Sequence, residues 1–246
     1  MPANATLHRK NSGGDTARSY RFGSSGAIHT HQQGEMIKMK SAFEEALLLF
    51  DQSETDLNAA RHKLFTDVCE DLFSSKYLSS YEDSVQRYFC NLSRQFGGST
   101  HADMLEKGID SMDPQIRRQV LCIIRDGFFS EKFMQRISRQ LLMLAMDGND
   151  EDRTIIHRIF ARKYTDPSIL IELLPGCVSE HFSKLGPGSE DAYYVYQYSR
   201  DIILALNATQ LIEDHIFLGE RHEHAEVREL AAEFKIDMEA RYGRLS

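Results

Sequence analysis

Apolar residues recur every three or four positions through most of the chain, the spacing that places them on one face of a helix. Ala42, Phe43, Ala46, Leu47, Leu49 and Phe50 form a first face, and Asp51–Ser53 predict an interruption. Leu57, Ala60, Leu64, Val68 and Leu72 predict a helix over 54–73, and Tyr81, Val85, Tyr88, Phe89, Leu92 and Phe96 a third. Gly97-Gly98 supplies a left-handed stop for it. Met104, Leu105, Ile109 and Met112 suggest a shorter fourth.

From residue 113 the boundaries sharpen. In Asp113-Pro114 the carboxylate can cap a helix, while proline in the first turn forfeits no helical bond. Asp166-Pro167 repeats the device. Gly127, Gly148, Gly176, Gly186 and Gly219 mark helix ends. Between them lie the faces Phe133-Ile137-Leu141-Leu144, Ile155-Ile156-Ile159-Phe160, Val195-Tyr198-Ile202-Ile203 and Leu211-Ile212-Ile216-Phe217. No useful length alternates with period two, so the expected class is all-α, without a sheet.

Arg117 and Arg153 lie 36 residues apart, each followed by apolar residues at helical spacing, and Arg228 follows 75 residues later. The segment His224-Ala225-Glu226-Val227-Arg228-Glu229-Leu230-Ala231 resembles the second helix of a HEAT repeat, and Asp113–Leu121 is the next best match. This resemblance to the HEAT/ARM-like superfamily covers roughly residues 112–236. It implies stacked antiparallel helical hairpins, an α-solenoid; a non-repetitive helical bundle is the alternative. The paired helices over 35–96 resemble the MIF4G-like superfamily, which implies a module in RNA or translation complexes.

Residues 1–34 break the pattern. They are rich in Ser, Gly, Asn, Thr, His and Gln with almost no aliphatic periodicity, and a disordered tail is expected, followed by one helical domain over 35–246. Arg9-x-x-Ser12 and Arg21-x-x-Ser24 make Ser12 and Ser24 candidate phosphorylation sites, although such spacings are common in any Ser/Arg-containing tail. An unstructured export signal, as in a secreted effector, is a third use for it. The tail lacks the leucines of a mitochondrial presequence, and the chain lacks both a secretory apolar core and a membrane-spanning run, so a cytoplasmic or nuclear setting is the default.

Charge divides the same way: the net −8 comprises +3 in residues 1–34, where Arg9, Lys10, Arg18 and Arg21 face Asp15 alone, and −11 in the rest. An acidic body disfavours nucleic acid, whose phosphates need concentrated Lys and Arg. Cys69, Cys90, Cys122 and Cys177 are far apart in apolar stretches and read as reduced, buried thiols.

Candidate chemistry is sparse. His215, His222 and His224 lack metal-site spacing and read as solvated turn histidines. The acidic runs at 147–152 and 190–191 suit helix N-termini, and no nucleophile elbow or Walker loop is present, so neither catalysis, a metal nor a cofactor is expected. Two groups suit partner recognition. Arg117, Arg153, Arg158 and Arg162 could line adjacent helices and meet an acidic segment of a partner protein; ion pairs with Asp113, Asp150 and Asp152 are the alternative. Tyr193, Tyr194, Tyr196 and Tyr198 spread around one helix, so Tyr194 and Tyr198 would pack inward and Tyr193 and Tyr196 remain for a partner. The expected function is a non-enzymatic protein-protein interaction scaffold or adaptor.

Overall fold

The computed structural model describes residues 25–66, 75–97, 101–164, 166–185 and 189–243. Among the described residues ten α-helices follow in order: α1 (Ser25–Thr66), α2 (Ser75–Phe96), α3 (Ala102–Ile109), α4 (Pro114–Asp126), α5 (Glu131–Asp147), α6 (Asp150–Lys163), α7 (Ser168–Lys184), α8 (Asp191–Ala205), α9 (Ile212–Glu220) and α10 (Ala225–Tyr242). A 3-10 turn, Thr209–Leu211, precedes α9. No strand occurs among the described residues, and the all-α class holds. The chain divides into a short unit, Met1–Lys40, and a compact one, Ser41–Ser246. Of the first, the opening part of α1 is described; it begins at Ser25, inside the stretch read as tail, and Ser12 and Ser24 lie outside the described residues.

Neighbours in sequence pack together, α3 on α4, α5 on α6, α7 on α8 and α9 on α10. Helices two apart also pack: α4 on α6, α5 on α7, and α8 on α10. Lengths run from 8 residues in α3 to 42 in α1, and the helices do not show a HEAT or ARM repeat. One apolar cluster runs through the compact unit and includes Phe50, Ile123, Leu141, Ile156, Leu174 and Ile202. A smaller one joins Ala192 and Tyr196 of α8 to Val227, Leu230 and Ala231 of α10.

Asp51–Ser53 do not break α1, contrary to expectation. Ser53 Oγ donates to the Leu49 carbonyl (2.8 Å) and Gln52 Nε2 to Asp56 Oδ1 (2.9 Å), so the helix itself absorbs the polar groups. They also serve its neighbours: Gln119 Nε2 donates to Asp51 Oδ1 (3.0 Å), Asn91 Nδ2 to Ser53 Oγ (2.8 Å), and Arg118 Nη1 to Glu54 Oε2 (2.9 Å). The expected interruption is the polar part of a helix interface.

The Asp113 cap is confirmed, its Oδ1 accepting from Gln115 N at 2.9 Å. Gly127 and Gly148 end their helices as expected, but in extended rather than left-handed backbone (φ −74° and −72°). Space explains the residue type: a Cβ at Gly127 would lie 2.7 Å from both the Ile123 carbonyl oxygen and the Phe129 ring. Gly176 is no stop at all. With Pro175 it sits inside α7, at the expense of one backbone bond, and buried contacts of Leu174, Cys177 and Val178 on either side hold the helix together.

Candidate functional site

The predicted arginines separate into tied and exposed groups. Arg117 Nε donates to Asp152 Oδ2 (2.8 Å) and its Nη1 to the Ser111 carbonyl (2.8 Å), and Asp152 is 1% exposed. Arg153 is bonded to Asp150 and the Gly148 carbonyl, with its guanidinium 3.7 Å from the centre of the Tyr198 ring. Asp150 and Asp152 therefore take arginines, while Asp113 caps a helix. Arg162 is largely exposed and reaches Asp126 at 3.3 Å, and Arg158 is exposed on α6. Asp126 also accepts from Tyr88 Oη (2.8 Å) and Arg125 Nε. Burial pushes its carboxyl up, but the bonds from Arg125 and Tyr88 outweigh that and hold it below the usual carboxylate range.

The tyrosines are placed differently from expectation. Tyr196 is fully buried and Tyr194 is half exposed, so Tyr196 is not available to a partner. The phenol of Tyr196 donates to the His215 carbonyl (3.1 Å), and its ring lies flat on the His215 imidazole with centroids 4.2 Å apart. Tyr193 is partly buried, edge-on to Tyr194, and Tyr194 stacks on Tyr198.

His215 is likewise interior rather than a solvated turn residue, because α9 lays it between Tyr196 and Phe234. Burial pushes its pKa down to about 4, against the opposing bond to the Tyr196 carbonyl. Its protons therefore bind more tightly in the unfolded chain, and stability present above about pH 6.5 is lost as pH falls toward 4. Urea denaturation at pH 7.5 and 4.5 should show a pH dependence about 2 kcal/mol larger in the parent than in His215→Phe. His101, His157 and His181, also lowered by burial, act in the same direction and leave a remainder in the variant.

Cys90 is exposed, against expectation, whereas Cys122 and Cys177 are buried; Cys69 lies outside the described residues. Burial pushes the Cys122 thiol up to about 11, a neutral group at physiological pH. No group of three His, Cys, Asp or Glu among the described residues could hold a metal ion. Likewise, no described helix is long and apolar enough to cross a membrane.

The feature that sequence reading missed is an apolar groove of about 300 Å³ between α7 and α9. Leu174, Pro175, Val178 and Phe182 form one wall, Leu211 and Leu218 the other, and His215 and Ile203 contribute from beneath. Leu174, Val178 and Phe182 follow one another at intervals of four, a legible stripe. Reading Gly176 as a helix end cut that stripe in two. Compared with protein-family models, curated proteins and solved structures, the chain matches none of them.

Proposed function

We propose that the chain is a protein-interaction module whose helix pairs stack and whose α7–α9 groove takes up an amphipathic helix of a partner protein. The observation that carries the reading is the groove itself, where Pro175, Phe182, Leu211 and Leu218 reach solvent beside the buried Leu174 and Val178. An apolar stripe at i, i+4 and i+7 on an incoming helix suits such walls, since groove binding of this kind places one face of successive turns in one apolar trough. Asp214 at the rim favours a Lys or Arg beside that stripe. Binding rather than catalysis fits the polar groups present, because the His215 ring is already engaged with the Tyr196 carbonyl. Of the arginine face, Arg158 and Arg162 are the members open to a second contact with an acidic segment.

The test is a selection of displayed helical peptides against the full chain, followed by affinity measurement on Leu218→Glu. Leu218 is 39% exposed, so the charge is tolerated by the fold and enters the groove. Selected peptides are expected to share the apolar i, i+4, i+7 pattern and to lose about tenfold or more in affinity on the variant. Equal affinity for both proteins, with unchanged circular dichroism, rejects the groove as the docking site.

A further inference from the structure

A second opening, of about 370 Å³, lies where the loop between α4 and α5 meets the start of α3. Phe128 and Phe129 of that loop, Phe133 in the first turn of α5 and Ala102 of α3 give it an apolar lining. Lys132 and Arg136 line it too, four residues apart on α5. Its floor is fixed, since Phe129 and Phe133 pack ring to ring with centroids 4.9 Å apart and Phe133 is buried. Phe128 differs from both and is 79% exposed. A lone exposed apolar residue is ordinary on a protein surface, but this ring edges an apolar hollow of ligand size. The loop that carries it is pinned, because Lys163 Nζ donates to the Gly127 carbonyl (2.6 Å) and lies 5.6 Å from the centre of the Phe128 ring.

The carboxylates nearby are already engaged. Asp103 and Glu106 of α3 pair with Arg136 at 3.0 and 2.9 Å, and Asp126 takes Arg125 and Arg162. Glu131 lines a neighbouring opening, where its Oε1 accepts from Gln135 Nε2 (3.1 Å). Lys132 stands apart from these pairs. It is exposed and has neither an ion pair nor a hydrogen bond among the described residues, and no acidic residue is among those that line the opening. Left without a complement are one aromatic ring and one ammonium, four residues apart in sequence and lining the same hollow.

We propose that this opening anchors an acidic segment of a partner protein through an aromatic side chain. The ring enters beside Phe128, and a carboxylate adjoining it in sequence meets Lys132. Charge complementarity selects the acid. The aromatic walls select the ring, because paired rings gain more than their buried area alone supplies. A concave site suits one inserted anchor, whereas a flat lipid surface would leave the hollow unfilled. This deepens the protein-interaction reading and rests on it, but the opening shares no lining residue with the α7–α9 groove.

The experiment is a titration of the full chain, labelled with ¹³C at alanine methyl groups, with the capped tripeptide Ac-Phe-Glu-Glu-NH₂. Parallel titrations replace Phe by Leu or Ala, or both Glu by Lys, and a further one uses phenylacetate. The expected result is a saturable change at the Ala102 methyl with the first peptide, weaker with leucine and absent with alanine or lysine. Phe128→Ala and Lys132→Glu, both at exposed positions, should each weaken it about fivefold, with the other alanine signals in place as evidence of an intact fold. No saturable change at Ala102, an equal one with the alanine, leucine or lysine peptide, or one indifferent to both substitutions overturns the proposal. Phenylacetate binding as tightly as the peptide overturns it in favour of a small carboxylate. Sedimentation with phosphatidylserine-containing vesicles that is lost in Phe128→Ala overturns it in favour of a membrane surface. A helical peptide selected on the groove should bind Lys132→Glu unchanged, and the tripeptide should bind Leu218→Glu unchanged, so the failure of either site leaves the other standing.

Discussion

Tyr196→Ala should remove about 4 kcal/mol of stability, the cost of deleting a fully buried aromatic side chain and leaving its cavity. The ring joins three helices. It projects from α8, lies flat on His215 of α9, and shares the smaller core cluster with Val227, Leu230 and Ala231 of α10. Gly219 shows how closely these surfaces meet, since a Cβ there would lie 2.5 Å from Ala231 Cβ and 2.6 Å from the Tyr196 ring. With so little slack, collapse around a truncated side chain is limited. Tyr196→Phe keeps the stacking and loses only the bond to the His215 carbonyl, so about 1 kcal/mol is expected. Thermal unfolding should show a fall of roughly 10 °C for alanine and a few degrees for phenylalanine. Equal losses for the two would mean that the hydroxyl bond, rather than the ring, holds the C-terminal helices.

A loss of about 3 kcal/mol is expected for Asp152→Ala, for a different reason. Asp152 is almost fully buried, and its partner Arg117 is 16% exposed at the side chain, so the substitution strands a charge that water reaches poorly. Breaking a buried pair costs more than the pair contributes, because the remaining ion keeps its desolvation penalty. The combined variant Arg117→Met with Asp152→Leu should therefore recover to within about 1 kcal/mol of the parent. A chemical-denaturation cycle over the parent, Arg117→Met, Asp152→Leu and the combined variant measures this. Additive losses in the double variant would show that the two residues act independently and that apolar packing alone holds α4 to α6.

The pair also illustrates how far one sequence can be read. Arg117 and Asp152 were both conspicuous, one as a candidate partner-binding arginine and the other as a member of an acidic helix start. That they meet depends on α4 packing on α6 across 35 residues of chain. The tyrosines show a related failure of phase. Ala192, Val195, Tyr196, Ser199, Ile202 and Ile203 are the buried positions of α8, spaced three or four apart. A face drawn through Val195, Tyr198 and Ile202 has acceptable spacing too, so hydrophobicity alone did not choose between Tyr196 and Tyr198. The small residues Ala192 and Ser199 carried the deciding signal, because only small side chains permit close approach of a neighbouring helix.

Helical content, the capped start at Asp113-Pro114 and the ends at Gly127 and Gly148 were set by the sequence alone. Those features come from interactions within a few residues, where side-chain capping and backbone crowding do not depend on the rest of the chain. Tertiary structure decided the continuity of α1 through Asp51–Ser53, the burial of Tyr196 and His215, the pairing of Arg117, and the groove along Leu174, Val178 and Phe182. Each depends on groups distant in sequence, up to 68 positions apart for Gln119 and Asp51. A polar triplet is a break in one helix and a hydrogen-bonded contact between two, and only the second helix determines which.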